Sequence, residues 1–220
     1  MPEQLLAPTR RVLEPHERVA EVLFGLIMVL TFTGSLSVAQ AGRDDVRTML
    51  IGALGCNLAW GIIDAVLYLM GALAEKSRDA RILHAVHHSK DDAQAQQLIA
   101  AALPASLASV VQPAELETMR RALQRLPDPP ARAHLHRSDY VGAVAVFLLV
   151  FLSTFPVALP FLCTADAALA KRLSNVVALA MLFGAGAVYG RIIGRTPWLV
   201  GVVMFLLGTA LAGMTMALGG

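Results

Sequence analysis

Residues Val22–Leu73 read VLFGLIMVLTFTGSLSVAQA-GRDDVRT-MLIGALGCNLAWGIIDAVLYLMGAL, two apolar runs joined by a short charged turn. The first, Val22–Ala41, has 20 residues and no charge, and the second, Met49–Leu73, has 25 residues and one charge, Asp64. A helix needs about 20 apolar residues to cross ~30 Å of hydrocarbon. Each run therefore predicts a membrane-spanning helix. Asp64 falls inside the second, where a carboxylate that is neither paired nor protonated costs about 3 kcal/mol or more.

The rest of the chain agrees with that reading. Of its 220 residues 56% are hydrophobic and 15% charged, against about 25% charged in soluble domains. This composition belongs to polytopic membrane proteins. A net charge of +2 is too small to suggest a nucleic-acid partner. Cys56 and Cys163 lie in or beside apolar runs and form no disulfide framework or metal-knuckle spacing. A polar lead with Glu3, Arg10, Arg11, Glu14, Glu17 and Arg18 precedes the first run, which is longer than a signal-peptide core. The first run is expected to stay as an anchor.

Three further spans are expected: Tyr140–Thr164, Leu173–Gly190 (begun as early as Ala167) and Thr196–Gly220. Pro156 and Pro160 predict a kink in the third. Ala74–Asp139 is a polar insertion with nine Lys/Arg and eight Asp/Glu. Its start has no helix breaker, so span two should run on as a helix. Asp91–Ala102 and Pro113–Leu126 read as two more helices, and Pro127-Asp128-Pro129-Pro130 ends the segment. The expected fold is all-α: a polytopic membrane protein with five transmembrane helices and a helical cytoplasmic insertion between helices 2 and 3. The expected divisions are residues 1–73, 74–139 and 140–220.

Five spans put 14 Lys/Arg on the N-terminal side and 4 on the other. By the positive-inside rule the N-terminus and insertion are cytoplasmic and the C-terminus outside, with a bacterial inner membrane as the expected location. Gly186, Gly190 and Gly194 recur at four-residue spacing, as do Gly208 and Ala212. Such lines let helices approach closely, within one chain or across a dimer seam.

Asp64 reads as a proton or cation site, or as a structural group bonded to Asn57 or to a hydroxyl of span one. Glu21, at the mouth of span one, is solvated or paired with Arg18, or is the first ligand a cation meets. Met28, two turns deeper, offers a thioether or packs. Hydroxyls such as Thr31 commonly bond their own helix backbone, or else line the path. In the insertion His84, His87 and His88 stand at i, i+3 and i+4, and Asp91 continues their face. They bind a divalent transition metal or form a solvated face, with His134 and His136 as further ligands. No nucleophile elbow, Walker loop, His-Glu-x-x-His or paired catalytic carboxylates occur. An enzyme is not expected.

Glu21-Val22-Leu23-Phe24-Gly25, Ala74-Glu75-Lys76-Ser77-Arg78-Asp79 and Phe155-Pro156-Val157-Ala158-Leu159-Pro160-Phe161, together with the layout of spans, resemble the vacuolar iron transporter family. The resemblance implies a homodimer whose first helices line a cation path. It also implies proton-coupled export of ferrous or manganous ions from the cytoplasm, with no permanently bound cofactor. The path would take in Glu21, Met28, Thr31, Asn57 and Asp64, and the metal ligands Glu21, Asp64, His84, His87, His88 and Asp91. Lipid, metal cations and protons are the expected partners. Two departures stand out. Met28 occupies a position where that family has an Asp, and the insertion has histidines in place of abundant Glu and Met. A non-transporting scaffold or metal sensor of the same fold is the alternative.

Overall fold

The computed structural model describes residues 15–34, 43–130 and 132–217, with Arg43 by its backbone alone. Of the described residues 85% are helical, and no strand occurs among them. The helices are α1 (Pro15–Gly34), α2 (Arg43–His87), α3 (Asp92–Ala102), α4 (Ala105–Ala108), α5 (Pro113–Gln124), α6 (Arg137–Leu152), α7 (Thr154–Cys163), α8 (Ala167–Ile192) and α9 (Pro197–Ala217). Among the described residues four stretches are long and apolar enough to cross a membrane: Asp44–His87, Arg137–Cys163, Ala167–Ile192 and Pro197–Ala217. Of the expected first span, residues 22–34 form the second half of α1 and the remainder lies outside the described residues.

The chain divides into two compact units, one of Met1–Tyr68 with Ser138–Gly220 and one of Leu69–Arg137. In the first, α1 packs against α7, α8 and α9. Leu23, Leu26, Val29 and Leu30 of α1 meet Ala53, Val157, Ala178, Leu182 and Ala212 in its main core. Outward-facing residues of the same unit remain apolar, among them Ile51, Ile62, Val66 and Leu67 of α2 and Val203 and Leu206 of α9. That is the pattern of helices whose outer surface meets lipid rather than water.

The third expected span is broken. Pro156 has no N–H for the carbonyl of Leu152, and its ring crowds that carbonyl. Accordingly α6 stops at Leu152 and α7 begins at Thr154. Ser153 sits at the break, its hydroxyl donating to Val150 O at 2.7 Å. Pro160 is carried inside α7.

Small residues hold α8 against α9. A Cβ at Gly186 would meet Met204 Cγ at 2.7 Å, and one at Gly201 would meet Phe183 Cε2 at 2.9 Å. Gly190 faces Pro197 Cα, and Gly208 faces Leu182 and Leu179. The glycine line read from the sequence is thus occupied by packing within the chain. Gly194 serves differently. It has φ of +70°, and around it Arg195 N donates to Gly190 O at 2.8 Å and Gly194 N to Arg191 O at 3.4 Å. This is the Schellman closure of a helix, in which a left-handed residue satisfies the last carbonyls. Gly194→Ala should lower stability by about 1 kcal/mol, since an L side chain is disfavoured in that region. Chemical or thermal unfolding in detergent reads the loss, and unchanged stability would count against the assignment.

The second unit holds the end of α2 with α3, α4 and α5. Val86, Ala95 and Ile99 are its buried apolar centre, flanked by Leu98, Leu116 and Leu123. Asp91 caps α3 by accepting from Gln94 N at 2.6 Å. A capping box of Gln112 and Glu115 with Pro113 in the first turn starts α5. A polar clasp joins α3 to α5. Glu117 accepts two bonds from Arg120, each 2.7 Å, one from Arg121 at 2.7 Å and one from Gln96 at 3.1 Å. Arg120 also pairs with Asp92 at 3.0 Å.

These donors, Arg120 first, hold the Glu117 carboxyl at about 2 rather than the ordinary 4.5. A carboxyl whose value is lowered by folding stabilises the fold above its unfolded value. That contribution is lost as pH falls through the folded one. The clasp is therefore complete above about pH 4.5 and lost toward about pH 2. Hydrogen exchange of α3 and α5, corrected for intrinsic rates, should show faster opening at about pH 3 than at about pH 5. In Glu117→Gln that difference should shrink, and an equal difference in both proteins would contradict the role given to Glu117.

Candidate cation site

The alignment of α1 with α2 builds the site. Phe24 and Trp60 meet edge to face with ring centroids 5.4 Å apart. One residue on, Asn57 Nδ2 donates to Gly25 O at 3.4 Å. Farther along, a Cβ at Gly52 would touch Phe32 at 3.3 Å. Residues 24, 25 and 32 of α1 thus oppose 60, 57 and 52 of α2, an antiparallel register. Glu21 lies one turn before Phe24 on α1, and Asp64 one turn beyond Trp60 on α2.

Glu17 and Glu21 are four residues apart on α1 and share a face. Both Glu21 and Asp64 are half-buried. Asp64 Oδ2 is shielded from solvent and accepts no hydrogen bond from the described residues. Like charges brought together away from water favour a proton or a cation between them. Glu17 was not singled out in the sequence, although its i, i+4 relation to Glu21 is a usable signal.

Asn57 does not take the place offered to it as a partner of Asp64. It is 1% exposed, and its Nδ2 donates to Thr154 Oγ1 at 2.6 Å, at the start of α7. Its Oδ1 is buried without a partner among the described residues. Asn57 therefore ties α2 to α1 and to the α6–α7 break. Gly25 makes this approach possible, since a Cβ there would meet Ser153 Oγ and would come within 2.6 Å of Val150 O. Thr31 donates to Met28 O at 2.7 Å, so its hydroxyl is satisfied by its own helix. Met28 is half-buried on α1.

The histidines of the second unit separate into two roles. His87 Nδ1 bonds Asp128 Oδ1 at 2.6 Å and its Nε2 bonds Leu123 O at 2.9 Å. Both ring nitrogens thus face acceptors, an arrangement that favours the protonated imidazole. In keeping with this, the hydrogen bond to Asp128 raises His87, and the bond from His87 lowers Asp128. Asp91 is engaged as the cap of α3. His84 and His88 lie together with Asp128, each offering one ligand atom within 4.8 Å of the others. The structure thus groups His84 and His88 with Asp128, where the helical spacing alone had grouped them with His87 and Asp91. Asp128 lies 41 residues from His87 in sequence, in the proline-rich turn, and no local pattern could have named it.

Apolar helices of this length, with outward faces that remain apolar, define an integral membrane protein. Residues 70–220 match the model of the VIT family, and the chain belongs to that family. Its members are membrane transporters rather than enzymes, and the family points to metal ions as cargo. The matched region begins after Asp64, so membership rests on the second unit and α6–α9 rather than on the acid pair. No curated protein matches the chain.

Proposed function

We propose that this protein carries divalent transition-metal cations, iron or manganese, out of the cytoplasm in exchange for protons. The observation that carries the reading is the Asp64 carboxyl in an apolar helix, its Oδ2 shielded and without a partner among the described residues, with Glu21 on the helix that Asn57 ties to α2. Two carboxylates supply hard oxygen ligands, which suit manganous and ferrous ions. Their mutual repulsion makes them bind either protons or a divalent cation, and exchange of one for the other couples the two fluxes. Glu21 receives the ion, Asp64 exchanges the proton, and Asn57 and Thr31 lie along the same pair of helices. Met28 adds a soft thioether beyond Glu21.

The reading includes five spans, with α1 completed as the first, and a homodimer in which the two α1 helices line the path. It places the N-terminus and the Ala74–Asp139 insertion in the cytoplasm and the C-terminus outside, supported by the 14 to 4 distribution of Lys/Arg. A bacterial inner membrane is the proposed location. Met28, where the related transporters carry Asp, favours a second reading, a non-transporting sensor or scaffold of the same fold.

Uptake of Fe2+, Mn2+, Zn2+ and Co2+ into proteoliposomes under an imposed pH gradient decides between them. Gradient-dependent influx of Mn2+ or Fe2+ is the expected result. No influx of any ion from folded, inserted protein supports the second reading instead.

A further inference from the structure

One face of α2 changes character where the apolar run Met49–Leu73 ends. Val66, Met70 and Leu73 stand at i, i+4 and i+7 on that face and are exposed, Met70 by 61%. Ser77, Arg81 and His84 continue the same stripe. The stripe thus passes from apolar to cationic along a single helix.

In the second unit its cationic part opens onto a groove of about 760 Å3. Leu73, Ser77, Arg81 and His84 form one wall, and Pro129 and Arg132, from the segment that leads into α6, line the other. No carboxylate lines the groove among the described residues. Arg81 and Arg132 are exposed, and neither forms an ion pair with a described residue. Asp128, the acid of the proline turn, bonds His87 instead.

Two guanidinium groups on one groove with no acid between them attract an anion, and their planar forks suit phosphate oxygens. Their place on the chain says which phosphate. Arg81 lies eight residues past Leu73, about 12 Å along the helix. Helix side chains lean toward the N-terminus, which for Arg81 is the side of the apolar run. Arg132 precedes α6, the start of the next apolar stretch, by five residues. Both arginines therefore border the layer in which phospholipid headgroups lie.

We propose that this groove binds the headgroup of an anionic phospholipid, with Arg81 and Arg132 on the phosphate and the acyl chains along Leu73, Met70 and Val66. An anionic head on an apolar tail matches both halves of the stripe, whereas a soluble phosphate ester leaves the apolar half uncovered. The bound lipid would tie the end of α2 to the segment before α6. Lipid capture of this kind requires a membrane protein but no transport.

Native mass spectrometry of delipidated, full-length protein in detergent tests the site, with titration by phosphatidylglycerol or by phosphatidylcholine of the same chains. One phosphatidylglycerol per chain is expected, held more tightly than phosphatidylcholine. Arg81→Gln with Arg132→Gln should weaken phosphatidylglycerol binding about 30-fold, about 5-fold for each charge. Arg81→Lys with Arg132→Lys keeps the charge and should keep most of the preference. Lys90 and Arg125 lie outside the groove, so Lys90→Gln with Arg125→Gln removes equal charge and should leave binding unchanged. Glycerophosphoglycerol, the headgroup without chains, should bind about 100-fold more weakly or worse, for want of apolar contact. Thermal unfolding in detergent confirms that each variant folds. Equal binding of the two lipids by wild type, unchanged binding in the folded Arg81→Gln, Arg132→Gln protein, or an equal loss in the Lys90→Gln, Arg125→Gln protein overturns the proposal. Glycerophosphoglycerol bound as tightly as the lipid also overturns it and assigns the groove to a soluble phosphate ester.

Discussion

Asp64→Asn is expected to reduce metal flux to the level of empty liposomes while leaving the protein folded. The substitution keeps shape and removes charge. In wild type Asp64 Oδ2 is shielded without a partner among the described residues. An amide there cannot exchange a proton for a cation, and it removes the negative charge that draws a divalent ion inward. Relief of the repulsion between Glu21 and Asp64 should make the variant at least as stable as wild type. Loss of flux with retained stability is therefore the signature of a site, whereas loss of both would mark a structural group. Measured influx of Mn2+ and Fe2+, alongside thermal unfolding in detergent, reads the two separately.

Gly25→Leu is expected to fail in the opposite way, by losing the fold around the site. A Cβ at residue 25 comes within 2.6 Å of Val150 O and 3.3 Å of Val150 C, and it also meets Ser153 Oγ. The serine hydroxyl can turn, but it already donates to Val150 O, and a helical backbone carbonyl cannot withdraw. The larger side chain must push α1 away from the α6–α7 break. That movement strains the bond from Asn57 to Gly25 O and pulls Asn57 from Thr154. Overpacking of this kind costs about 1–3 kcal/mol, and it also disturbs the contact of α1 with α2. Both the unfolding midpoint and the flux should fall, and a Gly25→Leu protein as stable as wild type would show that the close approach is not needed.

Much of this fold was legible because membrane helices are written in long apolar runs. Leu173–Gly190 and Thr196–Gly220 led to α8 and α9 within a few residues at each described end. Asp91 and Pro113 marked the starts of α3 and α5, because a cap and a first-turn proline are local signals. The split at Ser153 was readable only as a kink. The missing N–H of Pro156 locates the strain, but the neighbours decide whether a helix bends or stops. The pairing of Asn57 with Thr154 joins residues 97 apart, and no periodicity reports such a contact. The same is true of Asp128 beside His84 and His88. Residue types picked out Glu21 and Asp64 separately, and the contacts of Phe24 with Trp60 and of Asn57 with Gly25 show that their two helices meet.

The central claim is that Glu21 and Asp64 exchange protons for a divalent cation. Simultaneous recording of Mn2+ influx and lumenal pH in proteoliposomes tests it most directly, with wild type and Asp64→Asn compared at equal reconstitution. The account predicts that Mn2+ and protons move in opposite directions in wild type and that both movements vanish together in the variant. Mn2+ influx that persists in Asp64→Asn, or that proceeds in wild type with no movement of protons, would contradict it.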